Sequence, residues 1–198
     1  MITTYQPLDS ATAPLHCTLL GVPAVRWAGE PVSIKRRQPR ALLYRLAAEL
    51  RPVPRTQLCY LFWPDVPDAT ARRNLTRLLV LLRQELPRAA LLVTEDEFVA
   101  LEPSQVWSDA VEFARLSATK EATARIAALR QAVELYRSPF LDGFALPDCS
   151  EFETWLESER RTWERRLFDA LATLIEAHTA ARNYAAAITI AHRYLQAD

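Results

Sequence analysis

At Pro103 the apolar pattern of this 198-residue chain changes its habit. Ahead of that proline, short runs switch between the two-residue period of strands and the 3.6-residue period of helices; behind it the helical period prevails to the end. Such a switch predicts an α+β unit followed by an all-α one. Half of the residues are apolar, enough to bury a core in both. Charge divides at nearly the same place. Residues 1–90 hold 13 Lys and Arg against 6 Asp and Glu, and the remainder holds 11 against 18, so a net charge of zero conceals a basic front and an acidic rear. A basic unit suits a polyanion, and an acidic one some other partner.

Several classes of function are disfavoured at once. Three glycines, Gly21, Gly29 and Gly143, are too few and too scattered for a Gly-rich phosphate loop. The three cysteines, Cys17, Cys59 and Cys149, lack the spacing of a zinc site or a disulfide framework and read as reduced thiols of a cytoplasmic protein. His16, His178 and His192 have no ligand spacing, so neither metal nor cofactor is expected. The chain has no nucleophile elbow, no HExxH and no apolar run of the roughly 20 residues that span a bilayer. The expectation is not an enzyme.

In chain order, "MITTYQPLDSATAP" reads as a loose tail, assigned to residues 1–15. "LHCTLLG", "AVRW" and "EPVSI" predict a small antiparallel sheet, broken by Pro23 and the Ala28-Gly29 turn. A helix follows from Arg36, its polar side carrying Arg37, Arg40 and Arg45, and "RPVPR" ends it. A short second helix in "RTQLCYLFW" starts on Pro54, and Cys59 packs inside it. The third, "DATARRNLTRLLVLLRQEL", takes Asp68 as its N-cap and carries two stripes. Ala71, Leu75, Leu78, Leu82 and Leu86 form a core line, while Arg73, Arg77, Val80 and Gln84 lie roughly opposite. "LLVTEDEFVALEP" predicts a hairpin around Glu95-Asp96-Glu97, with Leu92, Phe98 and Leu101 on one side.

Past Pro103, residues 109–118 and 121–136 predict two amphipathic helices, and "RSPFLDGFALPD" a loop that tucks Phe140, Leu141 and Phe144 inward. Ser150 and Glu153 fit a capping box opening a long helix to about residue 177, with Trp155 and Trp163 among its core residues. Its arginines Arg160, Arg161, Arg165 and Arg166 interleave with Glu157, Glu159 and Glu164, which predicts a salt-bridged surface. "NYAAAITIAHRYLQA" predicts a last helix with tetratricopeptide-like packing. It reaches the final residue without cap or breaker, as expected of a fragment of something longer.

Three helices and a hairpin, in that order, are the parts of a winged helix-turn-helix, and strands ahead of the first helix resemble the OmpR/PhoB type. The motifs "LLG-P-V", "RRQPRALLYRLA", "VPRTQLCYLFWPD" and "ARRNLTRLLVLLRQELP" resemble, in order, the DNA-binding half of SARP/AfsR-like bacterial transcriptional activators. "SDAVEFARL", "LRQAVELYRSPFLDGF" and "SEFETWLESERRTWERRLFDAL" are similar to the bacterial transcriptional activator domain that follows it in that family. The resemblance covers about residues 17–198. It implies a winged-helix DNA-binding domain over 16–103 and a truncated, all-α tetratricopeptide-like domain over 104–198. Binding to promoter direct repeats and contact with RNA polymerase or another subunit of the regulator are what the family implies. Two departures stand out: Pro54 replaces the usual Ser or Thr cap of helix two, and the wing turn is acidic.

On this reading the third helix enters the major groove of double-stranded DNA. Arg73 and Arg77 suit guanine, because a guanidinium donates to O6 and N7 together, Val80 suits a thymine methyl, and Thr76 a base or a phosphate. Arg36, Arg37, Arg40, Arg55, Thr56, Arg72 and Arg83 are the candidate phosphate contacts. The alternative is a protein-binding helical scaffold whose winged helix no longer binds DNA, a reading that the acidic wing favours.

Overall fold

The computed structural model describes residues 14–197. The expected tail lies outside the described residues except for Pro14 and Leu15, and Leu15 is already buried in the first strand. Three strands open the fold: β1 (Leu15–Thr18), β2 (Ala24–Trp27) and β3 (Glu30–Pro31). Helices α1 (Arg37–Ala47), α2 (Arg55–Phe62) and α3 (Asp68–Glu85) follow, with the short strand β4 (Val53–Pro54) between the first two. The hairpin is β5 (Leu92–Thr94) and β6 (Phe98–Leu101). Then come β7 (Val106–Ser108), α4 (Asp109–Ser117), α5 (Ala122–Leu135), α6 (Ser150–Ala180) and α7 (Tyr184–Ala197). This is a winged helix-turn-helix followed by two helical hairpins, α4 with α5 and α6 with α7.

Two small sheets frame the front half. One has the order β3-β2-β1-β7 and the other β4-β6-β5. The expected sheet of three antiparallel strands therefore gains a fourth, β7, which lies parallel to β1 and comes from beyond Pro103. In the wing, Leu92 pairs with Leu101 and Thr94 with Val99, so the inward residue is Val99 and Phe98 faces outward, 42% exposed. The expectation that Phe98 shares the side of Leu92 and Leu101 fails because side chains alternate along a strand and this register puts Phe98 out of step.

Two expected caps are also replaced. Helix α3 is capped at Pro67, whose carbonyl accepts from the N–H groups of Thr70 and Ala71; Asp68 is the first helical residue and holds Arg72 instead. Cys149, rather than Ser150, precedes α6, no capping box forms, and Glu153 reaches back to the Leu146 N–H in the incoming loop. Each carboxylate still sits in a first turn, where the helix dipole favours it.

Three devices join the two halves. Asp109, fully buried at the start of α4, accepts the N–H groups of Leu19 and Leu20 at 2.7 and 3.1 Å. These donors follow β1 and are met by a side chain some 90 positions away. Beyond them Leu20 bridges to Phe140, and Gly21 passes against Arg137 and Ser138. A Cβ on Gly21 would stand 3.3 Å from both the Arg137 Cβ and the Ser138 Oγ, and its φ of +142° is one that other residues rarely adopt. Arg160 on α6 is the second device, acting within the rear half on the loop whose Leu141 and Asp142 N–H groups donate to the Leu19 and Gly21 carbonyls. Its guanidinium donates to the carbonyls of Phe140, Leu141 and Phe144 at 3.0, 3.0 and 3.1 Å, so it holds the loop and is not part of a salt-bridged surface. The predicted pairing survives in Arg161 with Glu157 at 3.6 Å. Because these bonds are charge-assisted and half-buried, Arg160→Ala is expected to cost about 3 kcal/mol. The midpoint of urea unfolding should fall with its slope unchanged.

The third device is aromatic. Tyr44 meets Phe144 edge-on at 5.1 Å, Phe62 stacks on Phe152 at 5.7 Å, and Arg45 lies 5.3 Å over Trp155. Arg45, expected on the polar side of α1, is therefore buried at 4% exposure and paired with Glu49 at 3.1 Å. Trp163 is buried against Phe140 and Phe113, as its place on the core line of α6 predicts. Cys17, Cys59 and Cys149 are free and buried. Burial, with the neighbouring Asp109 charge, pushes the Cys17 thiol up to about 12.

Burial likewise raises the Asp109 carboxyl from 3.8 to about 6, against the N–H groups of Leu19, Leu20 and Ala110 and the charge of Arg137. The folded protein thus takes up this proton at higher pH than the unfolded chain does. The resulting stability is full below about pH 4 and is lost as pH rises through about 6, a difference of about 3 kcal/mol. Urea titrations between pH 4 and 7 should show this term in the native chain and lack it in Asp109→Asn.

Candidate nucleic-acid interface

Helix α3 sorts its residues by face. Ala71, Leu75, Leu78, Leu79 and Leu82 are buried against the front core, each at most 4% exposed. On the outward side Arg73, Thr76, Arg77 and Val80 are exposed, and Gln84 continues that line. Four residues advance the helix by about 6 Å, so the two guanidinium groups are stepped along it by about two base-pair rises of about 3.4 Å. Arg73 donates to Thr70 Oγ1 at 3.2 Å, a light restraint; Arg77 has no hydrogen-bond or ion-pair partner among the described residues. Thr76 Oγ1 donates back to the Arg72 carbonyl at 3.0 Å, which leaves its methyl and its lone pairs outermost.

The flanking cations differ from one another. Arg72 is exposed and paired with Asp68 at 3.0 Å, and this partner raises its pKa. Arg83, half-buried, donates to the Leu92 carbonyl at 3.2 Å and to Thr94 Oγ1 at 3.0 Å, fastening the end of α3 to the wing. Arg36 and Arg37 are exposed at the start of α1. Arg40, on the same helix, is half-buried, its guanidinium 5.7 Å over the Phe144 ring and its Nε buried without a partner. Arg55 is half-buried and Thr56 exposed in the first turn of α2. That turn is tied to the wing by the Arg55 N–H, which donates to the Glu97 carbonyl at 2.9 Å.

The wing turn Glu95-Asp96-Glu97 is exposed throughout. It is closed by the Glu95 N–H on the Phe98 carbonyl at 2.9 Å. Three carboxylates beside an exposed Phe98 make this tip unlike a basic minor-groove finger. Lys35 was missed by the sequence reading. It is exposed next to Arg36 and Arg37, and its N–H donates to the Glu85 carboxylate at 2.7 Å, which fixes this basic run near the end of α3. Adjacency to the Arg pair was the signal available. Among the described residues no group of His, Cys, Asp and Glu is placed to hold a metal ion, and no helix is long and apolar enough to cross a membrane.

Comparison with known proteins bears on both halves. Residues 104–198 match the family described as the bacterial transcriptional activator domain. The fold is similar to that of Mycobacterium tuberculosis EmbR, solved in complex with a low affinity phosphopeptide, at a TM-score of 0.58 and 22% identity. That likeness covers 93% of this chain and 52% of the EmbR chain, so this chain spans about half the length of its structural relative. No curated protein matched. The domain match thus concerns the rear half, and the likeness to EmbR is one of fold across both halves.

Proposed function

We propose, on the premise of a rear half similar to a bacterial transcriptional activator domain, that this protein is a sequence-specific DNA-binding regulator whose α3 reads the major groove. One observation carries the reading: Arg73 and Arg77 stand exposed one turn apart on the face of α3 opposite its buried leucines. In this role Arg73 and Arg77 read base edges, with Val80 and Thr76 beside them. Arg36, Arg37, Arg55, Thr56 and Arg72 hold phosphates and set register. Arg40 and Arg83 are the constrained members of that set. Arg40 reaches a phosphate from its seat on Phe144, and Arg83 only with the wing in tow. The domain limits 16–103 and 104–198 divide the work: DNA in front, protein contacts behind. RNA polymerase or another subunit of a larger regulator is the proposed partner, promoter direct repeats the proposed target, the cytoplasm the proposed location. No covalent chemistry is required.

The acidic wing favours one other reading, a protein-binding scaffold whose winged helix has left DNA. Selecting bound sites from random duplex DNA separates the two. The regulator reading expects an enriched motif, repeated in one orientation, with affinity that falls steeply as salt rises. A pool without a shared motif, or no salt-sensitive binding at all, would leave the scaffold reading standing.

A further inference from the structure

We propose that Asp68 and the wing carboxylates of Glu95, Asp96 and Glu97 are a counter-charge that competes with DNA phosphate for Arg55 and Arg72 and so keeps the affinity for unselected DNA low. The inference rests on α3 being a DNA reader and adds the groups that set how tightly any duplex is held.

Three segments meet at one corner of the DNA-facing surface: the first turn of α2, the first turn of α3 and the tip of the wing. Strand register places Phe98 of the wing opposite Pro54, and the next N–H, that of Arg55, donates to the Glu97 carbonyl at 2.9 Å. Arg72 donates through Nε to Asp68 at 3.0 Å. The Asp68 bond and charge, joined by the charge of Glu97, raise the Arg72 pKa. Cys59 on α2 has the same neighbours. Burial and then the Asp68 charge push its thiol up, while Arg72 and Arg55 pull it down, so these charges surround one point.

The charges at this corner do not balance. Asp68, Glu95, Asp96 and Glu97 are exposed, and of the four only Asp68 has an ion-pair partner among the described residues. Four carboxylates thus stand beside two guanidinium groups. A duplex whose phosphates reach Arg55 and Arg72 comes within the screening distance of these carboxylates, about 10 Å at 0.1 M salt, and is repelled by them. Arg72 must also give up Asp68 to hold a phosphate, so that contact adds little net affinity. Both costs fall on every sequence alike. The base contacts of Arg73 and Arg77 then decide which duplex stays bound.

The test measures the affinity of the whole chain for the selected site and for a scrambled duplex by fluorescence anisotropy across a salt series. Two variants remove charge at nearly constant shape: Asp68→Asn, and the wing triple Glu95→Gln/Asp96→Asn/Glu97→Gln. A third, Glu157→Gln/Glu164→Gln/Asp169→Asn on exposed positions of α6, removes as much charge elsewhere. The wing triple is expected to bind both duplexes about tenfold more tightly at low salt, with their ratio unchanged and the gain shrinking as salt rises. Asp68→Asn should steepen the salt dependence by about one phosphate contact, because Arg72 no longer trades a carboxylate for a phosphate, and adding Arg72→Ala should remove that gain. The α6 triple should change affinity by less than about twofold. Unchanged or weaker binding by the wing triple, with native binding intact, overturns the proposal and leaves α3 as the reader. An equal gain from the α6 triple does the same, since net charge alone then matters. Should the wing triple lose its native circular dichroism, Asp68→Asn with and without Arg72→Ala decides. If the native chain binds neither duplex, the DNA reading falls and the counter-charge with it.

Discussion

Replacing Arg73 and Arg77 together by alanine is expected to abolish sequence discrimination while leaving the fold intact. Each guanidinium that meets a guanine bidentately contributes about 1–3 kcal/mol of discrimination, so the pair contributes about 2–6 kcal/mol, or roughly 30-fold to 10⁴-fold in relative affinity. The loss should be selective. Both side chains are exposed, and the one bond given up is that of Arg73 to Thr70, so nothing in the core is disturbed. Alanine also favours helix. Arg37→Ala provides the contrast, because a phosphate contact weakens binding to all sequences alike and lowers the salt slope by about 1. Fluorescence anisotropy with the selected site and a scrambled duplex, at several salt concentrations, measures both effects. If Arg73→Ala/Arg77→Ala binds the two duplexes with the native ratio, α3 is not the reader.

The second large effect concerns the seam between the halves. A fragment ending at Pro103 is expected not to fold cooperatively, whereas the whole chain should unfold in one transition. Removing everything behind Pro103 strips β1 of its β7 partner and leaves the Leu19 and Leu20 N–H groups without Asp109. It also uncovers Leu15, Cys17, Leu20, Tyr44 and Phe62, which pack in one continuous core with Val106, Phe113, Phe140, Phe144 and Phe152. Exposing a fully buried apolar side chain costs about 1.5–3 kcal/mol, so even five of them amount to about 8–15 kcal/mol. That equals the whole stability of an ordinary domain, about 5–15 kcal/mol. Near-ultraviolet circular dichroism and amide dispersion of the fragment test the point. A fragment with native-like dispersion and a sharp urea transition would show that the front half stands alone.

This seam marks where sequence reasoning stopped. Periodicity is a local property, and among the described residues it located every α-helix to within a few residues, together with both faces of α3. The outward stripe of Arg73, Arg77, Val80 and Gln84 was legible for the same reason, because burial of Leu75, Leu78 and Leu82 dictates what points away. Charge was less legible. Arg45, Arg83 and Arg160 are each an arginine on a polar or mixed helix face, and from the sequence they look alike. In the folded chain one stacks on Trp155, one fastens the wing and one holds the 140–144 loop.

What the sequence determined by itself was the α-helices, their order and the buried face of α3, because a 3.6-residue period is written in neighbouring positions. What only the tertiary structure decided was which distant group satisfies each buried donor. Asp109 is a helix-start carboxylate by its neighbours and a partner of β1 by its position in space. The Phe98 face, the β1–β7 pairing and the two replaced caps have the same origin. A backbone N–H carries no sign of its partner in the sequence, yet leaving one buried and unpaired costs about 1–3 kcal/mol, so the fold finds that partner wherever packing brings it.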